Sequence, residues 1–168
     1  VQDYLYLREA NNVVDGSGTI TVTNAGFRMR MLDGNKTIAS SADITCNGDI
    51  YIPGGIVVTN NGTITCDDIV GGGAASTWIN AANSSLTINN TLLNVGSLNA
   101  VGDGNTINYG SLAAEVIKVP TNSYYNLIIA GANTNTLKEF IAFDGSTYLS
   151  AEPVGKIENQ DIHSLSTP

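Results

Sequence analysis

The sequence predicts an all-β fold: a parallel β-solenoid, or β-helix, of about six rungs with irregular ends. The first observation behind this is a short phrase that returns about every twenty residues. It reads Thr19-Ile20-Thr21-Val22, Asp43-Ile44-Thr45-Cys46, Thr63-Ile64-Thr65-Cys66 and Ser85-Leu86-Thr87-Ile88, with looser copies at Thr106-Ile107-Asn108-Tyr109 and Asn126-Leu127-Ile128-Ile129. From the second residue of each copy to the next the spacings are 24, 20, 22, 21 and 20. A sustained period of this size is the mark of a repeat protein built from stacked structural units. The second observation is composition. Twenty Asn and eighteen Gly fill the gaps between short runs of Ile, Val, Leu and Thr. Asn and Gly tolerate the left-handed backbone of tight corners, whereas β-branched residues suit a pleated strand. The third is that apolar residues recur at matching offsets in successive copies, so Ile44, Ile64, Leu86 and Ile107 should stack into an interior ladder.

In chain order, residues 1–40 read as an N-terminal cap or a first irregular rung. They hold a strand-like start at Tyr4-Leu5-Tyr6-Leu7, a turn at Asp15-Gly16-Ser17-Gly18 and the first repeat copy. Phe27-Arg28-Met29-Arg30-Met31-Leu32 then alternates apolar and basic residues, as a strand with one wet face does, and Asp33-Gly34-Asn35 closes it. Residues 41–137 form the solenoid body. The rung from Asp43 contains Ile44-Thr45-Cys46, a turn at Asn47-Gly48, Ile50-Tyr51-Ile52, a corner at Pro53-Gly54-Gly55, Ile56-Val57-Val58 and a corner at Asn60-Asn61-Gly62. Three strands and three corners per rung predict a triangular or flattened cross-section. Residues 138–168 comprise a last strand at Phe140-Ile141-Ala142-Phe143, a turn at Asp144-Gly145-Ser146 and an extended polar tail. The tail is either a frayed end or a segment that pairs with a further subunit. The opening at Val1, already strand-like, fits a processed chain or a piece of a longer one.

The charge balance narrows the function. The formal net charge is −8 and no run of Lys or Arg occurs, so a phosphate backbone finds no basic surface from which to release counterions. Nucleic acid and anionic membrane are therefore not expected partners, and no apolar run approaches the length that spans a bilayer. The acidic, Lys-poor composition fits a secreted or cell-surface protein.

Candidate chemistry is sparse. Cys46 and Cys66 hold the same place in successive copies, and in a parallel stack such residues lie about 4.8 Å apart. That leaves two readings open, stacked buried thiols or a disulfide. Asp67-Asp68 is the adjacent acidic pair, and Asp43 and Asp49 flank it from the preceding rung, which makes these four a weak candidate for Ca²⁺ beside the plainer reading of solvated surface acids. No Arg or Lys stands near them in sequence to complete a polysaccharide-lyase set. The single His163 has no evident partner. No phosphate loop, nucleophile elbow, zinc motif or cofactor motif occurs, and Gly71-Gly72-Gly73 reads as a corner. Thr21, Thr45, Thr65 and Thr87 share an offset between inward apolar residues and should form an external ladder; similar ladders occur on ice-binding solenoids. Four sequons begin at Asn35, Asn61, Asn83 and Asn89.

Residues 78–137 also carry a longer pattern: Ser85-Leu86-Thr87-Ile88, Thr91-Leu92-Leu93-Asn94, Gly96-Ser97-Leu98-Asn99-Ala100, Gly104-Asn105-Thr106-Ile107-Asn108-Tyr109, Tyr124-Tyr125-Asn126-Leu127, then Gly131, Asn133-Thr134 and Thr136-Leu137. This resembles a β-solenoid repeat module of large secreted and cell-surface adhesin-like proteins, best known from Bacteroidetes-type bacteria, and covers about a third of the chain. The resemblance implies an exported, non-enzymatic module of an adhesin stalk, surface array or filament. Its implied partners are further copies of itself or more of a longer chain, or a surface glycan or protein receptor. It stops at Leu137 and brings no cell-attachment motif, and residues 1–40 lie outside it. A viral tail or fibre component, a carbohydrate-active β-helix enzyme and an ice-binding solenoid are the alternative expectations.

Overall fold

A computed structural model describes residues 4–24, 26, 28–111 and 116–129. Among them are thirteen strands and no helix, and every strand pairing is parallel. The first rung holds β1 (Tyr4–Leu7), β2 (Asn12–Val14) and β3 (Thr19–Val22). The second adds β4 (Arg28–Met31), β5 (Lys36–Ile38) and the start of β6 (Asp43–Ile52). The end of β6 leads into β7 (Val57–Asn60) and the start of β8 (Thr63–Gly71). Beyond follow β9 (Thr77–Asn80), β10 (Ser85–Ile88), β11 (Ser97–Asn99), β12 (Thr106–Tyr109) and β13 (Asn126–Ile129). The chain is a β-solenoid of about six turns with three faces. Residues 4–38, on strands β1 to β5, pair into the same ladders as the body.

Face 1 stacks the six copies of the repeated phrase in register, Ile20 on Ile44, Ile64, Leu86, Ile107 and Leu127. Face 2 stacks β1, β4, residues 49–52 and residues 68–71, and continues as one bridge from Ile69 to Leu92. Face 3 is a separate sheet of β2, β5, β7, β9 and β11. Alternation along each strand sends one side chain in and the next out, and Ile44, Ile64, Leu86, Ile107 and Leu127 are fully buried. Each contributes about 1.5–3 kcal/mol from lost apolar exposure. The corner expected at Asn47-Gly48 is instead a register irregularity inside the continuous strand β6, between Cys46 and Asp49. A bulge bends a strand without ending its pairing, so faces 1 and 2 belong to one sheet.

The corner from face 3 to face 1 is held by a buried asparagine ladder. Asn60 Nδ2 donates to Asn80 Oδ1 at 2.9 Å, and Asn80 Nδ2 donates to Asn105 Oδ1 at 3.3 Å. Asn60 and Asn80 also donate to the Ser85 and Thr106 carbonyls, and Asn105 to those of Ala100 and Gly102. None of the three is exposed. Buried amides are tolerated because each is hydrogen-bonded, Asn80 to an amide on either side and Asn60 and Asn105 to one amide and nearby backbone groups. Gly62 sits at the same corner for a steric reason: a Cβ there would lie 2.4 Å from the Ala42 carbonyl oxygen.

Two further features break the repetition. Lys36 occupies an inward position, in the column of Val58, Trp78 and Leu98, and is 1% exposed. Its ammonium donates to the Glu9 and Gly34 carbonyls at 2.7 and 2.6 Å, which meets the demand of a buried cation. At the other end Tyr109 and Tyr124 are buried with their hydroxyls 3.4 Å apart. The Lys118 N–H donates to the Tyr109 hydroxyl at 2.9 Å, and the Tyr124 hydroxyl donates to the Lys118 carbonyl. These bonds tie Lys118 to both the fifth rung, through Tyr109, and the sixth, through Tyr124.

Candidate functional site

Long outer surfaces are what this stack offers, and two of them concentrate polar and aromatic side chains. On face 1 the outward positions form two columns. One runs Thr21, Thr45, Thr65, Thr87, Asn108 and Ile128, the other Thr19, Asp43, Thr63, Ser85, Thr106 and Asn126. Neighbours within a column lie about 4.8 Å apart, and the columns about 6.7 Å apart, from the strand spacing and rise. The four threonines read from the sequence are thus brought into one column. The second column of short polar groups beside it is interrupted at Asp43, which accepts a hydrogen bond from Thr19 Oγ1 at 3.1 Å.

The four candidate Ca²⁺ carboxylates are dispersed. Asp43 stays on face 1 with Thr19. Asp49 accepts from Arg28 Nε at 2.7 Å on face 2. Asp67, at the corner, accepts from Asn89 Nδ2 at 3.2 Å, while Asp68 accepts from the Thr91 N–H at 2.9 Å. Among the described residues no three His, Cys, Asp or Glu groups converge as a metal site. Asp49 and Asp68 are in-register neighbours, and Arg28, distant in sequence, lies beside them. The basic group that the sequence withholds from these acids is supplied by the stack, one rung earlier.

Cys46 and Cys66 are in register, buried and held as free thiols. Burial pushes the Cys66 thiol well above its ordinary value, with Cys46, Asp67, Asp68 and Asp49 adding to the effect. Burial also raises Cys46, opposed by a backbone hydrogen bond with Gly48. Both are therefore neutral, weakly nucleophilic groups. Of the sequon asparagines, Asn61 donates to the Ile38 carbonyl and Asn89 to Asp67, while Asn35 accepts from the Val57 N–H. Asn83 is exposed with φ 58°. His163, the strand at Phe140–Phe143 and the rest of 138–168 lie outside the described residues.

Face 2 carries a cluster that sequence reading missed. The chain has three arginines, Arg8, Arg28 and Arg30, and all lie at its N-terminal end with Tyr4, Tyr6 and Tyr51. Tyr4 and Tyr6 stack with centroids 5.5 Å apart and 28° between planes. Arg30 Cζ lies 4.8 Å from the Tyr51 ring centroid and 5.7 Å from that of Tyr4; Arg8 Cζ lies 5.3 Å from Tyr6. Tyr51 lies across the corner at Gly72, where a Cβ would meet its hydroxyl at 2.4 Å. The available signal was the alternation Tyr4-x-Tyr6 followed 24 residues later by Arg28-x-Arg30, visible only once the two are put in register.

No family model, curated protein or solved structure matches this chain. The resemblance of residues 78–137 to adhesin-like modules therefore stands on its motifs alone.

Proposed function

We propose that this chain is a non-catalytic structural and adhesive module acting outside the cell, a stiff solenoid that serves as part of a surface filament or array. The observation that carries this reading is the unbroken six-strand register of face 1. Hydrogen bonds along the stack axis make a rod whose sides are free for display and whose growth direction is fixed. At its first rung β1, β2 and β3 each pair on one side only among the described residues, and Ile20 is 37% exposed. Such an edge is a template for another parallel strand. A further rung, from a second copy or from more of the same chain, fits it and would extend the rod as a heterologous, non-closing contact. Electron microscopy of the native material, with sedimentation of a variant lacking residues 1–10, tests this. Filaments that disappear on truncation support terminal pairing. A monomer in both cases refutes self-association and leaves the module as one link of a longer chain.

Ice binding is favoured by one specific observation, the paired columns of hydroxyls on face 1. Asp43, Asn108 and Asn126 interrupt them, and for that reason adhesion is the primary reading. Thermal hysteresis that is abolished in Thr65→Tyr would reverse this order.

A further inference from the structure

We infer that the arginine–tyrosine patch on face 2 binds a carboxylate-bearing polysaccharide, with Arg8 and Arg30 pairing its uronate groups and the Tyr4, Tyr6 and Tyr51 rings supporting its sugar faces. The chain is acidic overall, yet all its arginines are gathered here. Arg28 is paired with Asp49, and this is the one ion pair among the described residues. Arg8 and Arg30 therefore lie against aromatic rings without a carboxylate partner among the described residues. Stacking occupies the face of a guanidinium and leaves its N–H edges directed outward. Those edges match a carboxylate in two parallel hydrogen bonds. Beside these guanidiniums Tyr6, 41% exposed, and Tyr51 present apolar ring edges and a hydroxyl, a surface on which the C–H face of a pyranose packs. Asp49 and Asp68, in register beside the arginines, offer acceptors to sugar hydroxyls.

The same features weigh against other occupants. Two carboxylates within the patch weigh more heavily against nucleic acid, whose phosphates would meet them at every nucleotide, than against a polysaccharide that carries one carboxylate per disaccharide. An acidic peptide would satisfy the arginines but has no use for the three tyrosines set around them on the first and third rungs. The patch spans three rungs, about 10 Å along the stack axis and about 13 Å along the strand direction from Tyr4 to Arg8, room for two or three sugar units of a linear polymer.

The assignment gives the adhesive reading its ligand class and rests on that reading. Its test is retardation of the full chain in gels containing hyaluronan, with dextran as the neutral polymer and polyglutamate as the acidic peptide. Retardation by hyaluronan alone, fading as salt is raised, is the expected result. Arg8→Ala and Arg30→Ala should each weaken it about tenfold, and Arg30→Lys should recover little because the planar fork is lost. Arg8 is exposed, so its variant keeps the fold, and circular dichroism of each variant verifies this. Equal retardation by dextran, equal retardation by polyglutamate, or none in hyaluronan overturns the proposal. If beads coated with the protein still attach to cells while hyaluronan fails to bind, the ligand is wrong and the adhesive reading stands. If hyaluronan chains are shortened on incubation, the non-catalytic reading itself falls.

Discussion

Face 1 and face 2 belong to one sheet but are built on opposite logic. Face 1 keeps six strands in register, and its outward columns repeat short polar side chains rung after rung. Face 2 holds four strands, varies from Tyr to Arg to Asp outside, and thins to the single Ile69–Leu92 bridge. Its narrowing has a local cause. The Val95 carbonyl oxygen lies 1.7 Å from where a Cβ on Gly71 would be, so the next pass of the chain folds directly over the end of β8. Repetition on one face makes a rod. Departure from repetition on the other gathers unlike side chains, and unlike side chains are what recognition requires.

The largest effect expected from testing this contrast lies inside face 1. Ile64→Ala should destabilise the fold by about 2–5 kcal/mol, whereas Thr65→Ala, its outward neighbour, should change stability by less than about 0.5 kcal/mol. Chemical denaturation midpoints of the two variants measure the difference. Similar losses would mean that the outer column holds the stack together as much as the core does.

Next comes the corner ladder. Asn80→Ala removes the amide that joins Asn60 to Asn105 and leaves buried groups unmatched, at about 3 kcal/mol. Asn80→Asp should be worse, since a carboxylate cannot donate to Asn105 Oδ1 or to the Thr106 carbonyl. A near-neutral Asn80→Ala would show the ladder to be passive.

A smaller effect should appear as alkaline sensitivity. Burial raises the Cys66 thiol and, with help from Tyr109, the Tyr124 phenol. In the unfolded chain these groups ionise near their ordinary values, about 8.5 and 10, while the folded chain keeps its protons. The unfolded state then binds fewer protons, so stability is intact below pH 8 and falls as pH rises past those values. Lys36 works in the opposite direction. Burial lowers its ammonium, the unfolded state holds more protons near pH 10, and this contribution gains with pH. Thermal midpoints taken from pH 7 to 10.5 should decline, and Cys66→Val should flatten the first part of the decline.

On face 2 the expected effect on stability is also small. Arg28→Ala, removing a half-exposed ion pair, should cost less than about 1 kcal/mol. A calorimetric loss well above that would make the patch a structural element of the rod.

How far the sequence reveals these faces follows from the same contrast. The face 1 ladder was legible because the spacing of the Thr-Ile-Thr phrase is nearly constant, which also aligned Cys46 with Cys66. The asparagine ladder was not. Asn60, Asn80 and Asn105 precede their face 1 strands by three, five and one residues, so no fixed offset joins them, and Asn105 enters from the far side of its corner. The arginine–tyrosine patch was hidden because its members come from three rungs and share no repeated identity. The acidic quartet is dispersed for the converse reason. Nearness in sequence grouped Asp67 with Asp68, but each is engaged by the rung that follows.

Lys36 bears on how such a chain finds its native arrangement. Nearly identical phrases invite a threading error, in which a whole segment docks one rung out of step and still buries its isoleucines. A displaced β5 would carry the Lys36 ammonium to the level of Val58 and Trp78, away from the Glu9 carbonyl of the preceding rung. A buried ammonium that has lost a partner costs more than a misplaced methyl group. One lysine thus gives interchangeable parts a fixed starting position, from which the remaining rungs are counted.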